Sequence, residues 1–322
     1  MKGTASLVTG GAGFIGSHLV EHLLKNGGTV RVLDDFSSGR RENLAMAPAW
    51  AGEGGGRLDL IEGDIRDPAT CRRAVAGVEV VYHQAALGSV PRSVDDPVTT
   101  EEVNVGGTLQ VLLAARDAGV RRVVAASSSS VYGDSPRLPK IEEMACEPLS
   151  PYALSKYAAE TYCRLFFRLY GLETVALRYF NVFGPRQDPN SQYAAVVPRF
   201  LAALRAGQRP VVYGTGEQTR DFTYVENVVD ANRTAAEAPR EACGLAYNIA
   251  CGERISLLEL LACLERMTGR HAEPEFQPMR AGDVLHSLAD TQRAARLLGF
   301  RGRIGFEEGL ARTVAAETRP VG

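Results

Sequence analysis

The sequence predicts an α/β protein built on a doubly wound parallel sheet, with a second, smaller α/β lobe after it. Three features carry this. Short β-branched runs alternate with helical patterns of 10–20 residues through the first half of the chain. A glycine triplet directly follows the first strand and opens the first helix. After about Gly184 the alternation breaks, and proline–glycine clusters separate shorter elements. The chain therefore reads as a Rossmann-type nucleotide-binding domain over 1–183 and a ligand-binding lobe over 184–322, with the chain free to cross back to the first domain.

Taken in order, Ser6–Thr9 is a strand and Phe14 to Asn26 a helix. Thr29–Asp34 and Leu58–Asp64 are strands, Pro68 to Ala76 is helical, and Val78–Gln84 is a strand. Thr100 to Ala118 is one long helix, Arg122–Ser127 a strand, Pro151 to Tyr170 a helix and Thr174–Tyr179 a strand. Between them, 40–57 (with Ala47-Pro48-Ala49-Trp50 and a glycine run) reads as a loose surface excursion.

Composition narrows the class of partner. Of 322 residues, 36 are Lys or Arg and 38 are Asp or Glu, a net charge of −2, so no concentrated basic surface for nucleic acid or an anionic membrane is expected. Hydrophobic residues at 45% and charged residues at 23% suit a folded globular chain. No apolar run is long enough to span a bilayer, and the N-terminus lacks the pattern of a signal peptide, which predicts a cytoplasmic protein. The six cysteines are scattered without a CxxC pair and read as reduced thiols; the five histidines have no ligand spacing, so no metal is expected.

The segment Thr9-Gly10-Gly11-Ala12-Gly13-Phe14-Ile15-Gly16 fits a dinucleotide cradle. Its glycines allow a tight turn and close backbone approach to a pyrophosphate, and the helix N-terminus adds unpaired N–H groups. Asp34 ends the next strand 18 residues after Gly16, where a carboxylate accepts bonds from an adenosine ribose and repels a 2′-phosphate. This favours NAD over NADP, with Arg40 and Arg41 close enough to moderate the preference. Asp64 and Ile65 suit an adenine edge, and Ala85 and Ala86 let backbone lie against the cofactor.

Tyr152 and Lys156 stand at i and i+4 on one helix face. A free phenol titrates too high to act as a base at neutral pH, and a neighbouring ammonium and a positively charged nicotinamide ring both favour the phenolate. The serines 127–130 end the preceding strand on the same sheet edge as the glycine loop, where a hydroxyl can hold a reacting oxygen.

With these motifs, the chain resembles the extended short-chain dehydrogenase/reductases, specifically the nucleotide-sugar 4-epimerases, and within them the bacterial branch acting on UDP-N-acetylhexosamines and their uronic acids. The resemblance runs through TGGAGFIGSHL, LDDFSSG, EGDIRD, HQAALGSVPRS, NVGGT, SSSSVYGD, SPYALSKY, LRYFNVFGPRQDPNSQYAAVVPRF, GTGEQTRDFTYV and MRAGDVLHSLAD, and so covers essentially the whole chain. It implies Tyr152 as base, Lys156 on the nicotinamide ribose and Ser128 as the catalytic hydroxyl. It implies NAD held by Gly10, Gly13, Phe14, Ile15, Gly16, Asp34, Asp35, Phe36, Ser37, Ser38, Gly39, Asp64, Ile65, Gln84, Ala85, Ala86 and Tyr179, with Asn104 supporting the active-site helix. It implies a UDP-sugar held by Gly88, Ser89, Arg92, Ser128, Ser129, Asn181, Val197, Tyr213, Arg220, Arg280, Asp283 and Ser287, the arginines at 220 and 280 meeting the diphosphate.

The implied reaction takes the C4 hydrogen from the sugar, leaves a transient 4-keto sugar and returns the hydrogen to the other face. Related dehydratases and decarboxylases carry a carboxylate just after the catalytic hydroxyl; here those positions are Ser129 and Ser130, which favours epimerisation. A small Ser287, where glucose/galactose-restricted epimerases have a bulky tyrosine, leaves room for an N-acetyl group, and Arg92 is placed to meet a C6 carboxylate. UDP-glucose/UDP-galactose or UDP-glucuronate epimerisation, net oxidation by a dehydrogenase, and a non-catalytic NAD-binding regulator are the competing readings. Extra apolar residues on two helices (Val103, Leu109, Leu112, Leu113; Tyr162, Leu165, Phe166, Leu169) predict a homodimer formed through a four-helix bundle.

Overall fold

The computed structural model describes residues 5–188, 195–271, 273–279 and 284–318. Its centre is a seven-stranded, wholly parallel sheet. Six strands come in sequence, β1 (Ala5–Thr9), β2 (Thr29–Asp34), β3 (Arg57–Glu62), β4 (Val80–His83), β5 (Arg122–Ser128) and β6 (Glu173–Tyr179). The seventh, β7 (Leu245–Ile249), returns from the second half of the chain to pair with β6. The spatial order is β7-β6-β5-β4-β1-β2-β3. β1 and β4 are neighbours, although the chain runs outward through β2 and β3 between them, so their carboxyl ends form the switch point at which such sheets bind ligands.

The sheet is buried on both faces, which is why its strands read as apolar runs without strict alternation. One face packs Leu19, Val20, Leu24 and the Val225–Glu237 helix against Val8, Val32, Tyr82 and Leu177. The other packs Val111, Leu112, Cys163 and Phe166 against Leu7, Val81 and Val123.

Two elements differ from the sequence reading. The excursion at 40–57 contains a helix, Ala47–Gly54, that folds onto the first helix (Phe14–Lys25). Trp50 is 5% exposed there, with the Arg186 guanidinium 4.9 Å over its ring. Alanine and glycine dilute the apolar signal, and one large side chain does the anchoring. The long helix from Thr100 is interrupted: Pro97–Glu101 and Thr108–Asp117 are α-helical, while Glu102–Gly107 is a π-helical turn. Such turns mark functional positions in helices.

The apolar residues assigned to a dimer face are mostly used within the subunit. Leu112 and Phe166 are fully inside the core, and Val103, Leu109, Leu113 and Tyr162 pack against it. Only Leu165 and Leu169 are exposed.

The smaller lobe is built from three two-stranded pairings, Val182–Phe183 with Thr223–Tyr224, Thr219–Arg220 with Ile255–Ser256, and Val211–Tyr213 with Glu275–Gln277. Helices Val196–Arg205, Leu257–Thr268 and Phe306–Thr318 surround its core of Phe183, Phe200, Phe222 and Leu260. Among the described residues no helix is long and apolar enough to cross a membrane.

Replacing the one tryptophan tests the unforeseen helix. Trp50→Ala is expected to lower the unfolding free energy by about 3 kcal/mol, read by chemical denaturation. A change within the range of ordinary surface substitutions would mean that the helix is not anchored by this ring.

Candidate active site

The turn after β1 is shaped by contacts that only glycine permits. Gly10 has φ +67°, and a Cβ there would lie 2.8 Å from the backbone N and Cα of Ala85. A Cβ on Gly16 would lie 2.0 Å from the Gly10 carbonyl oxygen. The loop therefore closes tightly onto the helix Phe14–Lys25, whose N-terminus has no side-chain cap. Its first N–H groups are left for an anion, with the helix dipole behind them.

Asp34 is fixed at the end of β2. One carboxylate oxygen accepts from the Ala12 N–H (2.8 Å) and the other from the Phe36 N–H (2.9 Å). Burial pushes its carboxyl above the usual range, and the two N–H donors work against that. Each oxygen keeps lone-pair capacity for a further donor. A Cβ on Gly39 would meet the Asp34 carboxylate at 2.7 Å, so this side of the cradle is also closed by glycine. Arg40 pairs with Asp188 (2.8 Å) and Arg41 with Glu62 (2.5 Å). Asp64 is held by the Arg66 guanidinium (2.6 Å), which keeps its carboxyl below the usual range.

These groups line a cleft of ≈ 360 Å³ at the switch point. Gly10, Gly13, Phe14, Ile15, Gly16, Asp34, Asp35, Ser37, Ser38, Gly39, Asp64, Ile65, Gln84, Ala85, Ala86, Gly88, Arg92, Tyr152, Lys156 and Tyr179 all face it. Ser127, from the serine run, also lines it, as do Leu33, Gly63, Leu87, Val103 and Ala126, which were not foreseen as lining. These five are apolar or small residues, and their place is set by the strand ends, loop and helical turn that carry them. Phe36 and Asn104 do not line it. The Phe36 ring lies under the Arg41 guanidinium (3.9 Å), and Asn104 stands behind the wall. The Asn104 amide accepts from the Leu87 N–H (2.7 Å) and donates to the Leu87 carbonyl (3.1 Å) and the Ser155 hydroxyl (3.0 Å).

The helix Pro151–Tyr170 delivers the phenol and the ammonium. Ser150 caps its first turn by accepting from the Ala153 N–H (3.1 Å), Pro151 occupies the first position, and Gly171 ends it at φ +71°. Lys156 is buried and donates to the Ala126 carbonyl (3.0 Å); loss of solvation lowers it to about 8. Burial raises the Tyr152 phenol above its usual value, opposed by a hydrogen bond with Ser128. Tyr152 and Lys156 both face the cleft from this helix. Ser128 also caps the turn Ser129–Tyr132, accepting from the Ser130 N–H (3.2 Å) and hydroxyl (2.9 Å). Ser89 is likewise a cap, accepting from the Arg92 N–H (3.2 Å) at the start of the helix Val90–Asp95.

A second cleft of ≈ 250 Å³ opens in the smaller lobe. Asn181, Val197, Tyr213 and Arg220 line it as expected, with Arg199, Gln218 and Phe222, which were not foreseen. The Arg199 guanidinium stands 5.4 Å over the Tyr213 ring. Ser287 is outside this lining. Its hydroxyl accepts from the Asn181 amide (3.1 Å) and the Asp221 N–H (3.2 Å), tying the loop after β6 to the lobe. Arg280 and Asp283 lie outside the described residues. Among the described residues there is no cluster of side chains able to hold a metal ion.

The fold and clefts define a nucleotide-binding α/β protein with a base-bearing helix at the sheet's switch point. Residues 6–250 match the model of the NAD dependent epimerase/dehydratase family, and the chain belongs to that family. It is 44% identical over 311 residues to the UDP-glucose 4-epimerase of Mycolicibacterium smegmatis, covering 96% of this chain and 97% of that one. The fold superimposes with a TM-score of 0.91 on the UDP-glucose 4-epimerase of Thermotoga maritima solved with UDP-glucose (37% identity, 98% of each chain). It does so equally, at 0.91, on the UDP-N-acetylglucosamine 4-epimerase of Methanobrevibacter ruminantium solved with UDP-N-acetylmuramic acid (39% identity, 98% of this chain and 99% of that one).

The buried ammonium gives a pH signature. With a folded value near 8 against 10.5 unfolded, Lys156 destabilises the ligand-free protein below pH 8, and that cost is relieved as pH rises through 8 toward 10.5. Lys156→Met is therefore expected to be more stable than the parent at neutral pH, the difference shrinking toward pH 10.5. A difference independent of pH, in denaturation of both ligand-free proteins, would contradict it.

Proposed function

We propose that the protein is an NAD-dependent UDP-sugar 4-epimerase, and that its sugar is an N-acetylhexosamine (UDP-N-acetylglucosamine/UDP-N-acetylgalactosamine) or the corresponding uronic acid. The observation that carries the reading is the convergence of Tyr152, Lys156 and Ser128 beside a glycine cradle closed so tightly that a Cβ on Gly10 would strike Ala85. That cradle, its open helix N-terminus and Asp34 fit NAD: the N–H groups meet the pyrophosphate and the carboxylate meets the ribose. Bound NAD supplies a hydride acceptor next to the sugar's C4.

The protein's own groups do the rest. Tyr152, as phenolate, takes the proton of the C4 hydroxyl, and Ser128 holds that oxygen through its hydroxyl. Lys156, whose ammonium lies on the Ala126 carbonyl, would bind the cofactor's ribose, and its positive charge on the same helix face favours the phenolate. Arg220 and Arg280 meet the diphosphate, and the cleft holding Tyr213 and Val197 takes the nucleotide. Bound NAD would accept the C4 hydride and give it back on the opposite face, and Tyr152 would return the proton to the oxygen of the 4-keto sugar once that sugar has turned about its diphosphate linkage. Ser129 and Ser130 have no carboxyl group, so nothing here delivers the second proton that elimination requires.

Arg92 faces the cleft next to Gly88, where it supports recognition of a C2 acetamido group or a C6 carboxylate. A second reading, UDP-glucose/UDP-galactose, is favoured by one observation: the Ser287 hydroxyl is bonded to Asn181 and Asp221, so its small size does not by itself open room at C2. We also infer a homodimer through the exposed Leu154, Leu165 and Leu169 on the helix Pro151–Tyr170.

Incubation with UDP-hexoses, UDP-N-acetylhexosamines and UDP-uronic acids, resolved by NMR, separates these readings. The acetamido or uronate pair is expected to interconvert faster than UDP-glucose and UDP-galactose; exclusive turnover of the latter establishes the second reading. Tyr152→Phe is expected to slow turnover by at least about 100-fold while NAD remains bound. Turnover at the parent rate would remove Tyr152 as the base.

A further inference from the structure

His83 ends β4, is 4% exposed and has no part in the chemistry above. Its two ring nitrogens touch two hydroxyls: Nδ1 lies 2.7 Å from Thr9 Oγ1 and Nε2 2.9 Å from Thr108 Oγ1. All three side chains are buried. The surrounding bonds fix which way each proton points. Thr108 spends its one hydroxyl proton on the Asn104 carbonyl (2.5 Å), so toward His83 it can only accept. The proton of that contact therefore sits on Nε2. A buried neutral imidazole with Nε2–H has a bare Nδ1, which must accept from the Thr9 hydroxyl. Thr9 Oγ1 in turn accepts from the Ala85 N–H (3.3 Å).

The five groups form a one-way chain of donors: Ala85 N–H to Thr9, Thr9 O–H to His83, His83 Nε2–H to Thr108, and Thr108 O–H to the Asn104 carbonyl. Its ends are the two structures that shape the cleft. Ala85 is the backbone that a Cβ on Gly10 would strike, at 2.8 Å. Asn104 sits in the π-helical turn Glu102–Gly107 and holds Leu87 on the cleft wall and Ser155 on the helix bearing Tyr152 and Lys156. We propose that His83 is a positioning residue, held as its neutral Nε2–H tautomer, that sets the cofactor wall and the catalytic helix in register with one another. Histidine suits the place because a rigid ring presents an acceptor at one end and a donor at the other. Asparagine is too short to reach both hydroxyls from this backbone, and phenylalanine leaves both without a partner. Full burial and the nearby Lys156 charge both hold the ring neutral.

The proposal rests on the epimerase reading for its kinetic consequence and not for its spectroscopic one, so the two fail separately. In the NAD-bound protein labelled with ¹⁵N-histidine, the His83 resonances, assigned by their loss in His83→Asn, are expected to show a protonated Nε2 and an unprotonated Nδ1. They should stay fixed across the range in which exposed imidazoles titrate. An Nδ1–H tautomer or an imidazolium at neutral pH overturns the proposal, whatever sugar the enzyme uses. For function, Thr108→Val removes the acceptor and the donor of the chain at nearly constant shape. It is expected to lower kcat by about tenfold or more and to speed NAD release, with KM for the sugar nucleotide little changed, and Thr108→Ser is expected to restore both. Parental kcat and NAD retention in Thr108→Val, or failure of Thr108→Ser to recover either, overturns it.

Discussion

The rotation of one helix about its own axis decides whether Tyr152 and Lys156 meet the cleft, and five contacts fix that rotation. On one side Ser155 takes the amide of Asn104 (3.0 Å). Beneath, Lys156 reaches the Ala126 carbonyl (3.0 Å) and the Cys163 carbonyl accepts from Thr174 (2.7 Å). On the other side Glu160 receives Arg178 from β6 (2.6 and 2.9 Å) and Ser127 from β5 (2.9 Å). The Glu160–Arg178 pair is almost wholly buried, a setting in which desolvation offsets much of the attraction. Its consequence is geometric: a helix turned by one residue would leave a charge buried without its counter-ion. Arg178 also lies 4.7 Å from the Tyr132 ring, whose hydroxyl donates to Asn248 on β7 (2.6 Å), so the clamp reaches across three strands.

The same strand joins the two clefts. Tyr179 at the end of β6 lines the first, and Asn181, two residues on, lines the second. Asn181 holds φ +32°, a strained value for a side-chain-bearing residue, maintained by its bonds to the Asp221 carbonyl (3.0 Å) and Ser287. Asp221 anchors this joint: its carboxylate accepts from the N–H groups of Cys251, Gly252 and Ala289, and burial pushes it up to about 6. A substrate whose nucleotide sits in one cleft and whose sugar reaches the other must pass this point, which is how a fold of two parts becomes one site.

Much of this was legible in the sequence, for identifiable reasons. The β-branched runs located β1 to β6 because parallel strands buried on both faces read as continuous apolar segments. The glycine spacing located the cradle because a Cβ on Gly10 would lie only 2.8 Å from the Ala85 backbone, which excludes any side chain. What was missed had no local signal. β7 is a five-residue strand whose place beside β6 is set by packing across the chain. The helix around Trp50 is built of alanine and glycine, and the π-helical turn differs from an α-helix by one residue of register, which a hydrophobic period does not resolve. Asn104, read as supporting the active-site helix, bonds Ser155 on that helix and Leu87 on the cleft wall, one layer behind the cofactor cleft. The second cleft's Arg199 and Gln218 fall within motif segments, but nothing in those motifs marks them as lining, and that role becomes visible only when the lobe is folded.

In the proposed reaction one carbon gives up its hydrogen to bound NAD and recovers the same hydrogen on its other face. Turnover of a UDP-sugar carrying deuterium at C4 measures this directly. The label is expected to remain at C4 of the inverted product, with no reduced cofactor accumulating in proportion to turnover. Loss of the label to solvent or to free reduced cofactor would contradict it.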